Sequence, residues 1–350
     1  MTNPRWSTWL RALGAAGVVL ATVAAFAPEA SATALNNRLV AGVQSEVGCL
    51  TTSLCVIGGY NTRGVGDVEA IRNGLPGRVS TLTGTQSVSS ISCPNPTGCV
   101  AIARPNSAVG AEFVTISKLG VVAKTSRLSL PSGVDLTRIA CQTLTSCEVA
   151  GVQVFTTPIT VEVGTWIAGK LVLHRVGVPS KSTDTVIEGL GCFKTSCDVV
   201  GYFDEGVVDV GLSITVTGGT HARLHTVGHD SLYGVACISA VRCYADGYGT
   251  NGGLVVTLTS GTASRTVSTK ADLLGIACNG TACTGVGEAL PPPGSSDAFW
   301  GQLVTIAAGS VSSVAMIKQS GGYDAVARVG SVFCAIGAAQ STKGSEVTTS

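Results

Sequence analysis

Residues Ser89–Ala103 read SSISCPNPTGCVAIA. An apolar strand ends on Cys93, five residues intervene, and Cys99 opens a second apolar strand. The pattern recurs along the chain. The close pairs are Cys49/Cys55, Cys93/Cys99, Cys141/Cys147, Cys192/Cys197, Cys237/Cys243 and Cys278/Cys283. Other first strands end as TRIAC, YGVAC and LGIAC, and second strands open as CVIGG, CEVAG, CDVVG and CTGVG. Successive first cysteines lie 44, 48, 51, 45 and 41 residues apart. Two further strands follow each second cysteine: AEFVTISKLG and VVAKTSRLSL in unit 2, VDVGLSITVTG and ARLHTVG in unit 4, GGLVVTLTSG and SRTVST in unit 5. A period of about 45 residues holding four short strands, a to d, is the signature of a propeller blade.

A seventh unit is present in altered form. YDAVARVGSVFCAIG aligns with the others, Arg328 takes the first cysteine position, and Cys334 is left alone. The spacing predicts an all-β fold: a seven-bladed β-propeller of four-stranded antiparallel blades. Unit 7 has strands a and b, a truncated strand c at KGSEVTTS and no strand d. The N-terminal strand LNNRLVAG (35–42) is expected to close the last blade, which would remove exposed sheet edges.

The segment Ser89–Ala103 and its repeats resemble the cysteine-paired repeats of secreted actinobacterial β-propeller-like proteins. The resemblance covers nearly the whole chain after residue 32 and departs at Arg328. It implies architecture and brings no catalytic residues with it.

The first 32 residues read as a secretory signal peptide. Arg5 and Arg11 make a basic start, residues 15–27 an apolar run, and Ala30-Ser31-Ala32 a cleavage site. The run is shorter than the ~20 residues that span a bilayer. The expected organisation is therefore a signal peptide over 1–32, cleaved after Ala32, and a single propeller domain over 33–350, secreted or associated with the cell envelope. In an oxidising compartment the twelve paired cysteines read as six disulfides, each at an a–b turn and stapling that hairpin. Zinc sites use Cys-x2-Cys pairs that meet other ligands, and these pairs recur far apart. Cys334 reads as a small buried residue on strand b whose partner was lost; a link between two chains is the other reading.

Without Arg5, Arg11 and Glu29 the chain carries equal numbers of basic and acidic residues. Net charge thus offers no basic field for nucleic acid or an anionic membrane. No nucleophile elbow, phosphate loop or dinucleotide fingerprint is found, so no catalytic residue, cofactor or metal is assigned. His221, His225 and His229 are spaced by four, but four strand residues span about 13 Å, too far for one ion. Asp204, Glu205 and Asp209 in FDEGVVDVG are three carboxylates in one loop where calcium takes six to eight oxygen ligands, and they read as a solvated b–c loop. The sequon at Asn279 lies inside a cysteine turn.

In an up-and-down blade the b–c and d–a loops share one face, opposite the stapled a–b turns. Strand b exits at Tyr60, Arg104, Val152, Tyr202, Tyr248, Glu288 and Ala339. The candidate ligand-binding set is Tyr60, Arg104, Tyr202, Asp204, Tyr248 and Glu288, with the proline-stiffened loop ALPPPGSSDAF beside it. The expected function is a secreted non-catalytic binding or scaffold protein holding a glycan, a peptide or an envelope protein. The alternative is an extracellular propeller-type glycosidase or lyase, for which Glu288, Asp204 and Asp324 are the carboxylates to test.

Overall fold

In the computed structural model the repeat becomes six propeller blades. The structure describes residues 18–24, 36–40 and 42–338, apart from 107–108, 157–158, 180–181, 183, 207, 220, 229, 270–271, 292–294, 296–298 and 318–321. The Ala30-Ser31-Ala32 cleavage site, the strand expected at KGSEVTTS, His229, Ala339, Pro292 and Pro293 lie outside the described residues.

Blade 1 contains β3 (Val43–Thr51), β4 (Leu54–Tyr60), β5 (Gly66–Arg72) and β6 (Leu75–Thr81). Blade 2 contains β7 (Thr85–Asn95), β8 (Gly98–Pro105), β9 (Glu112–Ser117) and β10 (Val122–Arg127). Blade 3 contains β11 (Val134–Thr143), β12 (Ser146–Gln153), β13 (Thr160–Ile167) and β14 (Lys170–Gly177). Blade 4 contains β15 (Thr185–Phe193), β16 (Ser196–Asp204), β17 (Asp209–Thr217) and β18 (His221–Val227). Blade 5 contains β19 (Ser231–Ser239), β20 (Arg242–Gly249), β21 (Gly252–Thr259) and β22 (Thr262–Ser268). Blade 6 contains β23 (Asp272–Asn279), β24 (Ala282–Ala289), β25 (Trp300–Ala307) and β26 (Ser310–Ile317). Each is an antiparallel sheet of four consecutive strands.

The expectation of seven equivalent blades is corrected to six. The remaining strands, β1 (Val18–Ala24), β2 (Asn36–Val40), β27 (Ala325–Val329) and β28 (Val332–Ala338), do not repeat the blade. They form a composite sheet in the order β2-β1-β28-β27, with no disulfide. The segment expected to close on β28 instead pairs with β1, and β1 lies against β28. The physical reason is edge satisfaction. Unit 7 contributes two strands here, and the open edge of β28 takes up the apolar run that reads as the core of a signal peptide.

The core is divided among the gaps between sheets. Val56 and Val68 of blade 1 pack with Val88 and Val114 of blade 2. Val163 of blade 3 packs with Val199 and Leu212 of blade 4. Ile57 of blade 1 packs with Cys334 and Ile336 of β28. Strand b is covered on both faces, so Cys55–Gly59 are buried without alternation, whereas the outer strand β6 is largely exposed. The inner strands contact one another in turn round the axis, and β27 returns to β3.

All six disulfides are formed: Cys49–Cys55, Cys93–Cys99, Cys141–Cys147, Cys192–Cys197, Cys237–Cys243 and Cys278–Cys283. Their Cα–Cα distances run from 3.8 Å to 4.1 Å. Each staples an a–b hairpin, as expected, from strand positions just inside the turn. Cys141 stands directly opposite Cys147, Cys192 opposite Cys197 and Cys278 opposite Cys283, as cross-strand pairs inside the hairpin. The second member of each pair is therefore core. Cys99, Cys147, Cys197 and Cys283 are buried among the aliphatic side chains between sheets, while Cys93, Cys141, Cys192 and Cys278 are half-buried. The physical reason is that strand b lies within the blade and is covered on both faces. Its first residues already pack inward, so these six sulfur bridges are structural and belong to no ligand site.

Cys334 is free and fully buried. It is not the leftover half of a seventh pair. Arg328 stands opposite Phe333, and Cys334 stands opposite Ala327, one residue further on. Both cysteine positions of unit 7 are therefore substituted, and the buried thiol is closed to an intermolecular bond.

Candidate functional site: the axial mouth

Strand a of every blade carries a β-bulge at one repeat position. Ser45, Ser89, Thr137, Glu188, Tyr233 and Leu274 are skipped in the pairing with strand b. Each stands four residues before the first cysteine of its pair. A bulge puts two residues against one and re-aims the side chains around it. In five of the six blades the partner strand adapts with a glycine. A Cβ on Gly59, Gly151, Gly201, Gly247 or Gly287 would lie about 2 Å from a strand-a carbonyl oxygen of its own blade. In these five blades the glycine four residues after the second cysteine thus meets a close backbone approach beside the bulge, inside a strand rather than in a turn, while blade 2 carries Ala103 there and has a further register shift at Gln86.

The bulges bring chemistry from several blades to the axis. Arg138, beside the bulge of blade 3, donates from Nε to the carbonyl of Glu188 at 2.6 Å and from Nη2 to its carboxylate at 2.7 Å. Its Nη1 donates to the carbonyl of Ser89 at 2.7 Å and faces the Glu46 carboxylate at 3.6 Å. One guanidinium thus joins blades 1, 2, 3 and 4. Glu46 keeps 21% of its side chain accessible. Desolvation pushes its carboxyl up to about 7, Arg138 opposes the shift, and Glu188 and Asp324 add to it. Burial also raises Asp324 to about 6. Glu288 rises to about 7 through burial, with Asp272 and Asp324 contributing. Tyr202 and Tyr233 meet edge to face at 6.4 Å, and burial raises both hydroxyls. Glu188 contributes to both shifts, which ties the aromatic pair to the cluster.

The candidate set falls into two groups. Arg104 is ion-paired with Asp135, and both line a cavity of about 170 Å³ with Ser89, Arg138 and Glu188. Tyr202 joins through Tyr233, and Glu288 through Asp324. Asp204 ends β16, where its amide donates to the carbonyl of Asp184. Tyr60 is half-buried at the end of β4, and Tyr248 is exposed at the end of β20. No hydrogen bond or ion pair among the described residues joins those two tyrosines to the axis. Sequence reasoning missed Glu46, Arg138, Glu188 and Tyr233. Glu188 and Tyr233 are bulge residues, four before the first cysteine of their pairs, and Glu46 and Arg138 follow a bulge residue, three before theirs.

The histidines stand apart. His221 and His225 line an outer groove of about 410 Å³ with Arg223, Thr215, Thr217 and Ser260. His225 contacts the Thr262 hydroxyl at 3.3 Å. Among the described residues, the two groups of candidate metal ligands each include disulfide sulfur, which is not a thiolate donor.

Net neutrality hides a separation of charge. The a–b and c–d turns carry Arg72, Lys118, Lys170, Lys194 and Arg242, with no carboxylate in any of those turns among the described residues. The opposite end carries Asp184, Asp204, Glu205, Asp230, Asp272 and Glu288. The described cations of that end, Arg63, Arg104 and Arg127, offset only part of that charge.

No protein-family model and no curated protein matches the sequence. Solved structures do match. The WD40 β-propeller domain of Doa1 superposes with a TM-score of 0.54 at 10% identity, over 84% of this chain and 93% of that one. YCF48 bound to D1 peptide gives 0.54 at 11% identity, over 90% and 96%. The Dos1 propeller gives 0.50 at 8%, over 84% and 78%. At such identities the likeness shows the β-propeller fold and nothing finer.

Proposed function

We propose that this chain is an exported, non-catalytic binding protein that holds a peptide or protein segment over the axial mouth of its loop end. The six disulfides suit an oxidising compartment and so support export. No helix among the described residues is long and apolar enough to cross a membrane. One observation carries the reading. Arg138 is anchored to Glu188 and Ser89 and faces Glu46, so a charged, hydrogen-bonding centre is held by backbone and ion-pair contacts before any ligand arrives. Preorganisation of this kind lowers the entropic cost of binding. The Tyr202–Tyr233 pair beside it supplies rigid amphipathic area of the type enriched in binding hot spots. YCF48, of the same fold, is described with a bound peptide, a precedent for peptide binding on this architecture.

The test is a peptide array probed beside a glycan array. Peptides should be retained, and Glu188→Gln or Tyr233→Ala should reduce retention at least tenfold. Retention of glycans alone, or indifference to both substitutions, would refute the reading.

A glycosidase or lyase is the second reading. It is favoured by Glu288 and Asp324, both shifted towards neutrality as a general acid requires, with Asp324 contributing to the Glu288 shift. Asp204 has no part in that pair's shifts. Hydrolysis of a polysaccharide panel, abolished by Glu288→Gln, would support this reading, and no turnover on any substrate would end it.

A further inference from the structure

We propose that the stapled end of the propeller, formed by the a–b and c–d turns, docks on an anionic lipid surface. The inference goes beyond the binding role of the loop end and leaves that end facing away from the membrane.

Four observations carry it. The first is charge. Arg72, Lys118, Lys170, Lys194 and Arg242 are exposed in or beside these turns, and none is in an ion pair among the described residues. The carboxylates in the strands behind these turns, Glu69, Glu148 and Asp198, are buried. The second is the side chains that accompany the cations. Leu75, Leu119, Ile167 and Val241 are 52%, 58%, 55% and 56% exposed. Each lies within three residues of a cation: Leu75 near Arg72, Leu119 beside Lys118, Ile167 near Lys170, Val241 beside Arg242. Basic groups with adjacent aliphatic tips match a headgroup layer lying over an acyl boundary.

The third observation is rigidity. Disulfides close the a–b hairpins just behind their turns, and neighbouring turns are tied by side-chain-to-carbonyl bonds. Arg72 donates to Leu119 at 2.9 Å, Gln142 to Lys194 at 2.6 Å, Ser196 to Ala240 at 2.7 Å and Asn279 to Gly330 at 2.7 Å. The cations therefore sit on a fixed frame. The fourth is the contrast with the loop end, where carboxylates outnumber bases, so an anionic plane attracts one end and repels the other. A soluble polyanion would match the charges but would leave the four aliphatic tips in water. A bilayer satisfies both.

The experiment is co-sedimentation of the full folded chain with vesicles of phosphatidylcholine, with and without phosphatidylglycerol. Binding is expected only with phosphatidylglycerol, and it should fall as salt shortens the Debye length from about 10 Å to about 3 Å. Joint Lys118→Ser, Lys194→Ser and Arg242→Ser substitution should weaken binding about a hundredfold, or about fivefold for each charge near an anionic surface. Ile167→Ser with Val241→Ser should also weaken it, while Arg63→Ser at the loop end should not. Equal binding to phosphatidylcholine alone would overturn the proposal. So would tight binding to soluble polyphosphate that ignores the Ile167 and Val241 substitutions. The lipid and salt dependence of the unmodified protein decides the matter even if a variant folds poorly.

Discussion

The Arg138 guanidinium on blade 3 donates to the Glu188 carboxylate on blade 4 at 2.7 Å, across a gap between two sheets that share no backbone pairing. Because the same group also holds the Ser89 carbonyl and faces Glu46, it acts as a tie between blades. Arg138→Met removes that tie and leaves two half-buried carboxylates without their cation. The expected cost is about 2 kcal/mol, below the cost of breaking a fully buried pair because the group keeps some solvent. Urea denaturation measures it, and a loss under about 0.5 kcal/mol would remove Arg138 from this role.

Stability should fall as pH rises from about 4 to about 8. Burial pushes Glu46, Glu69, Glu148, Asp246 and Glu288 up to about 7 and Asp324 to about 6. Carboxyls in the unfolded chain titrate near 4. The folded state therefore binds more protons between those values. The stabilising contribution is complete below the unfolded pKa and is lost as pH rises through the folded one. Melting at pH 5 should exceed melting at pH 8, and Asp246→Asn should flatten the profile. Asp246 is fully buried, so its charge has the least access to water. A protein more stable at pH 8 would contradict the assignment.

Gly201 should be intolerant of a single methyl group, because its blade lacks the extra register shift that accompanies Ala103 in blade 2. A Cβ on Gly201 would stand 1.9 Å from the Val186 carbonyl oxygen, whereas one on Gly177 meets nothing within 4 Å. Gly201→Ala is expected to cost about 3 kcal/mol, and Gly177→Ala to stay within about 0.5 kcal/mol of neutral. Thermal melts of the two variants side by side check the contrast.

Cys334 should resist modification until the protein unfolds. It is fully buried, and desolvation pushes its thiol up to about 12, so little nucleophilic thiolate forms. Iodoacetamide followed by mass spectrometry should find no adduct under native conditions and one in denaturant. Conversely, Cys93→Ser with Cys99→Ser should lower stability by about 2 kcal/mol, the chain-entropy value for a short loop.

Much of the architecture could be read from the cysteine ladder. A pair every 41 to 51 residues, each between two apolar strands, marks a–b hairpins and gives the four-strand blade directly. That Cys147, Cys197 and Cys283 are core residues rather than turn residues was also legible, since each opens an apolar strand. What could not be read was the bulge. One unpaired residue shifts the phase of strand a without leaving a turn residue behind, so Glu188 and Tyr233 look like ordinary strand positions. The axial cluster was missed for that reason, and the search settled on strand-b exits such as Tyr60 and Tyr248. The composite sheet was misread because Val18–Ala24 satisfies two descriptions at once. An apolar, β-branched run suits both the core of a leader and a strand on an open edge. The separation of charge was legible, since Lys118, Lys170, Lys194 and Arg242 all stand in or beside glycine- and threonine-marked turns. The near-balance of basic and acidic residues concealed it.

The central claim is that ligand sits over the axis at the loop end. Photo-crosslinking tests it most directly: an array-selected peptide carrying benzoylphenylalanine is bound and irradiated, and the site of attachment is read by mass spectrometry. The account predicts adducts on residues around Arg138, Tyr202 and Tyr233. Adducts confined to the outer strands, or to the turns of the stapled end, would contradict it.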